Sequence, residues 1–314
     1  AGELPRLPSQ DKRSADRLDS MVSVFNVRSH NGQSLYDPET GFFRARRNGG
    51  FAPNFDPFEV NFHYTEANAW QYSLFPPQQY MSPTLSDTDK ARLNAHLNKL
   101  FSAGSTTSGR EQADITGLIG QYAHGNEPSH HMAYLYHYAG EPQRTRELVK
   151  RIMDEFYHDD PDGLIGNEDC GQMSAWYVMS TLGLYQIAPG VDQRYELGYP
   201  LFPKATIALP SGSLWTMDVD TTATSYPSRS TSYSGPYYAY PSNLLHSELL
   251  KGGGLTFNAQ REPFARGGGP TVLDGAYING HHPGTCHRPG APIIEARSTV
   301  FTDTLVVKVI GQGT

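Results

Sequence analysis

Three polar clusters constrain this chain more than anything else in it: Glu66-Ala67-Asn68-Ala69-Trp70-Gln71, His124-Gly125-Asn126-Glu127-Pro128 and Gly166-Asn167-Glu168-Asp169-Cys170-Gly171-Gln172. Each sits where a loop meets an apolar pattern of helical period. Each pairs a carboxylate with an amide or imidazole, and an aromatic residue lies close by. A fold that brings the three together makes a cleft with two carboxylates for acid and base work, oxygen atoms for a hard cation, and aromatic faces for sugar rings.

The apolar spacing predicts six helices in the first part of the chain. They cover residues 9–26, 66–75, 87–103, 128–139, 142–157 and 171–183. Leu93, Leu97 and Leu100 mark the third, and Val149, Ile152 and Met153 mark the fifth, at positions that share one helix face. Pro76-Pro77 ends the second helix, and Pro128 opens the fourth with Asn126 as its cap. After Tyr185 the period changes from helical to alternating. Residues 204–209 and 214–219 flank a Pro-Ser-Gly turn and predict a β-hairpin. Residues 221–241 read as a long loop, and Gly267-Gly268-Gly269-Pro270 reads as a linker.

The expected fold class is therefore α+β. A partial (α/α)6 toroid of about six helices is followed by a β-sandwich-like module. The expected domains are residues 1–190 for the toroid part, 191–263 for a β-rich domain, and 264–314 for a linker with a small β module. The 31 Gly and 23 Pro, against 38% hydrophobic and 18% charged residues, agree with long loops and a β-rich part.

A net charge of -7 without a basic run makes nucleic acid and anionic membrane poor partners. No apolar stretch is long enough to span a bilayer, and no signal peptide opens the chain. Its Ala-Gly-Glu-Leu-Pro start reads as the middle of a longer protein. Two cysteines, Cys170 and Cys286, are expected as independent thiols.

Several chemistries find no support. There is no Gly-x-Ser-x-Gly elbow and no phosphate-binding glycine loop. The acids of the third cluster lack the regular spacing of an EF-hand, and no helical His-x-x-x-His pair marks a zinc site. Asn126 and Glu127 with loop carbonyls suit calcium better. Each carboxylate also has a structural reading as a helix N-terminal acid favoured by the macrodipole. Of the adjacent acids Glu168 and Asp169, one can face a cleft while the other anchors its loop.

Longer segments around the clusters resemble the glycoside hydrolase family 92 exo-α-mannosidases: Tyr64-Thr65-Glu66-Ala67-Asn68-Ala69-Trp70-Gln71-Tyr72, the run from Gly120 to His131, and the run from Gly163 to Tyr177. The resemblance covers roughly residues 10–262 and corresponds to the C-terminal part of the family's catalytic region. It implies a calcium-dependent, inverting exo-α-mannosidase that acts on terminal α-mannosides of glycans outside the cytoplasm, with the N-terminal part of such an enzyme as a further partner. A non-catalytic carbohydrate-binding fragment is the competing expectation. By the same resemblance Glu66 is the acid and Asp169 the base. Trp70, His124, Asn126 and Glu168 contact sugar, and Glu127 with Asn126 binds Ca2+. Inversion requires the two carboxyls to stand about 6.5–9.5 Å apart. Gly125 replaces the glutamate expected of α-1,2-selective members, and Asn167 stands where some members carry aspartate.

Overall fold

The computed structural model describes residues 12–81, 85–189, 193–198, 200–220, 243–258, 276–279, 293–296 and 307–310. The expectations for the loop at 221–241, the linker at 267–270 and Cys286 fall outside these residues. Two compact units divide the chain. The first contains residues 1–201, 235–245 and 268–273, and the second contains residues 202–234, 246–267 and 274–314.

The first unit is mainly helical. Its helices are α1 (Lys12–Ser29), α2 (Ala69–Tyr72), α3 (Asp87–Ser102), α4 (Pro142–Phe156) and α5 (Gln172–Thr181). Ser86 caps α3 by accepting from the Asp89 amide, and Leu93, Leu97 and Leu100 are buried along one stripe. On α4 the buried residues are Thr145, Val149, Ile152 and Met153. These two helices lie where the spacing predicts them. In contrast, α1 leaves Leu18, Met21, Val24 and Phe25 exposed.

Two expected helices differ. The one at 66–75 is a single α-turn, because Asn68 starts it late and Phe75 N–H already turns back to Tyr72 O ahead of Pro76-Pro77. The one at 128–139 is two 3₁₀ segments, Glu127–Ser129 and Met132–His137. Met132 through Tyr136 are all fully buried. A segment buried on every side has no polar face to give it a helical period, and its amides bond three residues back, as Tyr134 N–H does to His131 O.

A three-stranded antiparallel sheet completes this unit, with Asn243–Leu245 and Leu184–Tyr185 flanking Arg194–Leu197. The second unit carries the predicted hairpin. Lys204–Ala208 pairs antiparallel with Leu214–Asp220, which pairs in parallel with Gly253–Asn258, and Ala276–Asn279 adds an antiparallel fourth strand. Alternate residues Trp215 and Met217 of one strand, and Leu255 and Phe257 of its parallel neighbour, are buried, with Leu255 opposite Met217, which fixes the sheet's inner face. Helix α6 (His246–Leu249) precedes the third of these strands. The mixed helix and strand content agrees with the expected class.

Candidate active site

Hydrogen bonds tie the three clusters to one another. Asn68 caps α2 by accepting from the Trp70 and Gln71 amides, while Gln71 Oε1 accepts from the Asn68 amide, a reciprocal capping box. Asn68 Nδ2–H donates to Gln121 Oε1 at 2.8 Å, and Gln71 Nε2–H to Gln121 O at 3.2 Å. Gln121 belongs to the turn of a hairpin, Leu118–Ile119 with Tyr122–Ala123, that leads directly into His124. Gly120 at this turn has φ 62, and a Cβ there would collide with Leu100 O. Further on, Asn126 Nδ2–H reaches Glu66 O at 3.2 Å. The first two clusters thus form one rigid piece.

The third cluster joins through buried imidazoles. His130 Nε2–H donates to His124 O at 3.0 Å, so its Nδ1 is bare and accepts from Gln172 Nε2–H at 3.1 Å. Trp176 Nε1–H donates to His130 O at 3.1 Å. Tyr157 OH donates to Met173 O and therefore accepts from His124 Nε2–H, which leaves His124 Nδ1 to accept from Tyr122 OH. Burial holds His130 down to about 4 and His124 well below the usual imidazole range, so both rings are neutral.

At the centre stand three carboxyls. Burial, then the neighbouring carboxyl of Asp169 and the charge on Glu66, push Glu127 above the ordinary carboxylate range. Glu66 and Asp169 themselves are exposed. Both occupy left-handed backbone, with φ 55 and 48. Cys170 and Gly171 continue that conformation at φ 56 and 92. A non-glycine residue held there costs about 1–3 kcal/mol, so the surrounding bonds over-determine both turns. The left-handed run thus extends from Asp169 through Cys170 and Gly171 to the start of α5.

The remaining candidates are placed as follows. Glu168 is spent on its own loop: its carboxylate accepts from Ser174 N–H at 3.2 Å and Ser174 Oγ–H at 2.8 Å. His124 is fully buried, with both ring nitrogens bonded to tyrosines. Trp70 is buried against Phe42 at 4.7 Å between ring centroids, and against Phe58 and His96. It lines a cavity of about 650 Å³ whose wall includes none of Glu66, Glu127 or Asp169. Cys170 is a free, exposed thiol. Gly125 has no room for a side chain, since a Cβ would collide with Thr116 Oγ1.

Oxygen is the donor type this centre offers to a metal. Glu127 Oε1 is buried without a hydrogen-bond partner, and Asn126 keeps its amide oxygen after donating to Glu66 O. The rings of His124, His130 and His131 are committed elsewhere. Among the described residues no group of three or more His, Cys, Asp or Glu side chains has metal-binding geometry. A hard cation fits Glu127 and Asn126 when loop carbonyls, water or a sugar complete its shell.

Comparison with known proteins agrees with the class of site. The model of the glycosyl hydrolase family 92 catalytic domain matches residues 12–261, and the chain belongs to this family. A similar solved structure is the family GH92 α-mannosidase BT3965 from Bacteroides thetaiotaomicron in complex with mannoimidazole. It is 31% identical, with a TM-score of 0.65, over 78% of this chain and 33% of that one. The family GH92 inverting mannosidase BT2199 of the same organism is 30% identical, with a TM-score of 0.57, over 78% and 34%. An uncharacterized secreted glycosidase of Arthroderma benhamiae is 33% identical over 87 residues, 27% of this chain and 11% of its own. The chain thus spans about a third of the length of these solved relatives.

Proposed function

We propose that the chain carries the acid–base centre of a calcium-dependent, inverting exo-α-mannosidase that hydrolyses terminal α-mannosides of glycans. The observation that carries this reading is the convergence of the Glu66 and Asp169 carboxyls on Glu127, both acids being held exposed in left-handed turns. Family membership and two relatives named as mannosidases support it.

In this mechanism Glu66 donates a proton to the glycosidic oxygen as the bond to the anomeric carbon breaks. Asp169 removes a proton from water as that water attacks the opposite face of the sugar. Asn126, hydrogen-bonded to Glu66 O, fixes the acid's turn. Glu127 and Asn126 would hold the Ca2+, which when bound orients sugar hydroxyls and offsets the negative charge of the site. We assign His124 to the wall behind the sugar subsite and Glu168 to the loop that presents Asp169, while the Trp70 ring packs in the core with Phe42 and His96.

We place the protein outside the cytoplasm. A relative named as a secreted glycosidase supports this. The remainder of a family catalytic domain is the proposed partner, given the third of a relative that this chain spans. That same fraction favours a second reading, a carbohydrate-binding fragment without turnover.

The deciding experiment is release of mannose from an α-mannoside by the chain, with and without a calcium chelator, beside Asp169→Asn. Loss of the base lowers the rate about 10²–10⁴-fold, with an unchanged melting profile. A folded Asp169→Asn protein that hydrolyses at the unmutated rate removes Asp169 from the chemistry. Binding of mannosides without turnover by the unmutated chain favours the second reading.

A further inference from the structure

We propose that Gln172, held by His130, is the positioning residue that fixes Asp169 relative to Glu127; this rests on the reading of Asp169 as the base. Asp169, Cys170 and Gly171 form three successive left-handed residues; the backbone bonds across them, Gln172 N–H to Asp169 O at 3.2 Å and Met173 N–H to Glu168 O at 3.3 Å, are local and join the run only to the start of α5. Its tethers therefore decide where the Asp169 carboxyl stands. Those from Glu168 to Ser174 join the loop only to the helix that follows it. They leave the pair free to shift together.

The Gln172–His130 bond is different, because it crosses to the segment that carries Glu127. His130 lies three residues after Glu127, and its amide donates to Glu127 O at 3.0 Å. Gln172 immediately follows the left-handed run and starts α5. Its amide N–H meets His130 Nδ1 at 3.1 Å, and the same side chain meets the Tyr185 hydroxyl. His130 is almost fully buried, and its other nitrogen is fixed by His124 O, so the acceptor cannot turn away. The Trp176 bond to His130 O docks α5 one turn further along, independently of the Gln172 side chain. Removing that side chain therefore loosens the Asp169 turn without detaching the helix.

The two ring nitrogens can be tested apart. Asparagine places Oδ1 near the position of Nδ1, and glutamine places Nε2–H near that of the ring Nε2–H. His130→Asn keeps the acceptor for Gln172, whereas His130→Gln keeps only the donor to His124 O. In mannoside hydrolysis by the full chain, Gln172→Ala and His130→Gln are expected to lower kcat about 10–100-fold, the scale of a misplaced reacting group. KM stays within about two-fold, and His130→Asn retains most of the rate. Amide hydrogen exchange supplies a readout that needs no turnover. Residues 166–173 exchange faster in Gln172→Ala and His130→Gln, but not in His130→Asn. Unchanged exchange and kcat in Gln172→Ala overturn the proposal. So does His130→Asn behaving like His130→Gln, which would assign the ring a packing role. Asp169→Asn is the control for the underlying reading. If it hydrolyses normally while Gln172→Ala still frees residues 166–173, the base assignment has failed and the tether has not.

Discussion

His131 makes an acid-sensitivity test that needs no substrate. Its ring is buried and donates Nε2–H to Leu74 O at 2.7 Å, which ties the end of the second cluster to the segment after α2. Burial holds it down to about 4. The folded ring is therefore neutral, while in the unfolded chain it takes a proton below about pH 6.5. Its contribution is fully present above that value and is lost as pH falls towards 4. At about pH 5.5, one unit below the unfolded value, the loss is about 1.4 kcal/mol for this ring alone. His96, His130 and His137, also held down to about 4 by burial, act in the same direction. Together they threaten a large part of a stability of about 5–15 kcal/mol. Glutamine puts an N–H where Nε2–H was but does not titrate. Urea unfolding of His131→Gln and the unmutated chain, compared at about pH 7.5 and 5.5, should show the variant losing about 1.4 kcal/mol less between the two conditions. Far-UV circular dichroism suits the assay, since every described helix except α6 lies in the first unit. An equal loss in both proteins would refute the argument that the buried neutral ring resists protonation.

Three other outcomes follow from the geometry. Glu127→Gln should raise the calcium concentration needed for activity; unchanged activity in excess chelator would remove calcium from the mechanism. The same variant should remove a destabilisation that grows as pH rises through the Glu127 titration, because a carboxyl raised in the fold holds its proton there longer than in the unfolded chain; parallel stability profiles for variant and parent in a chelator would contradict this. Asn68→Ala removes the α2 cap and orphans Gln121 Oε1, so it should cost about 1–3 kcal/mol in a urea titration.

The sequence disclosed what depends on local period. Helices α3 and α4 were legible because their buried residues recur at three and four positions, and the hairpin at 204–220 because its residues alternate. The segment 132–136 was not legible as 3₁₀, since burial on all sides erases the period that separates one helix type from another. Proximity in sequence likewise did not reveal the ring environment of Trp70. It lies four residues from Glu66, yet the turn of α2 carries its ring into the Phe42–His96 core. For the candidate site, the motifs identified the carboxylates but not the bonds that hold them. His130 and Gln172 are 42 positions apart, and no spacing rule joins them. Both nevertheless lie inside the runs that mark the family, which was the available signal.

The threading of the chain has a practical consequence for dissecting it. The polypeptide leaves the first unit after Leu201 and re-enters it before Leu245, then returns to the second unit at His246. Strand Asn243–Leu245 thus belongs to the sheet of Arg194–Leu197, although a hairpin of the other unit lies between them in sequence. A stop codon after residue 201 would not yield the helical unit whole. It would strip one flank from Arg194–Leu197 and bare a row of unpaired amides and carbonyls, a template for self-association. A soluble short version has to bridge the gap instead, joining residue 201 to residues 243–245 through a designed linker.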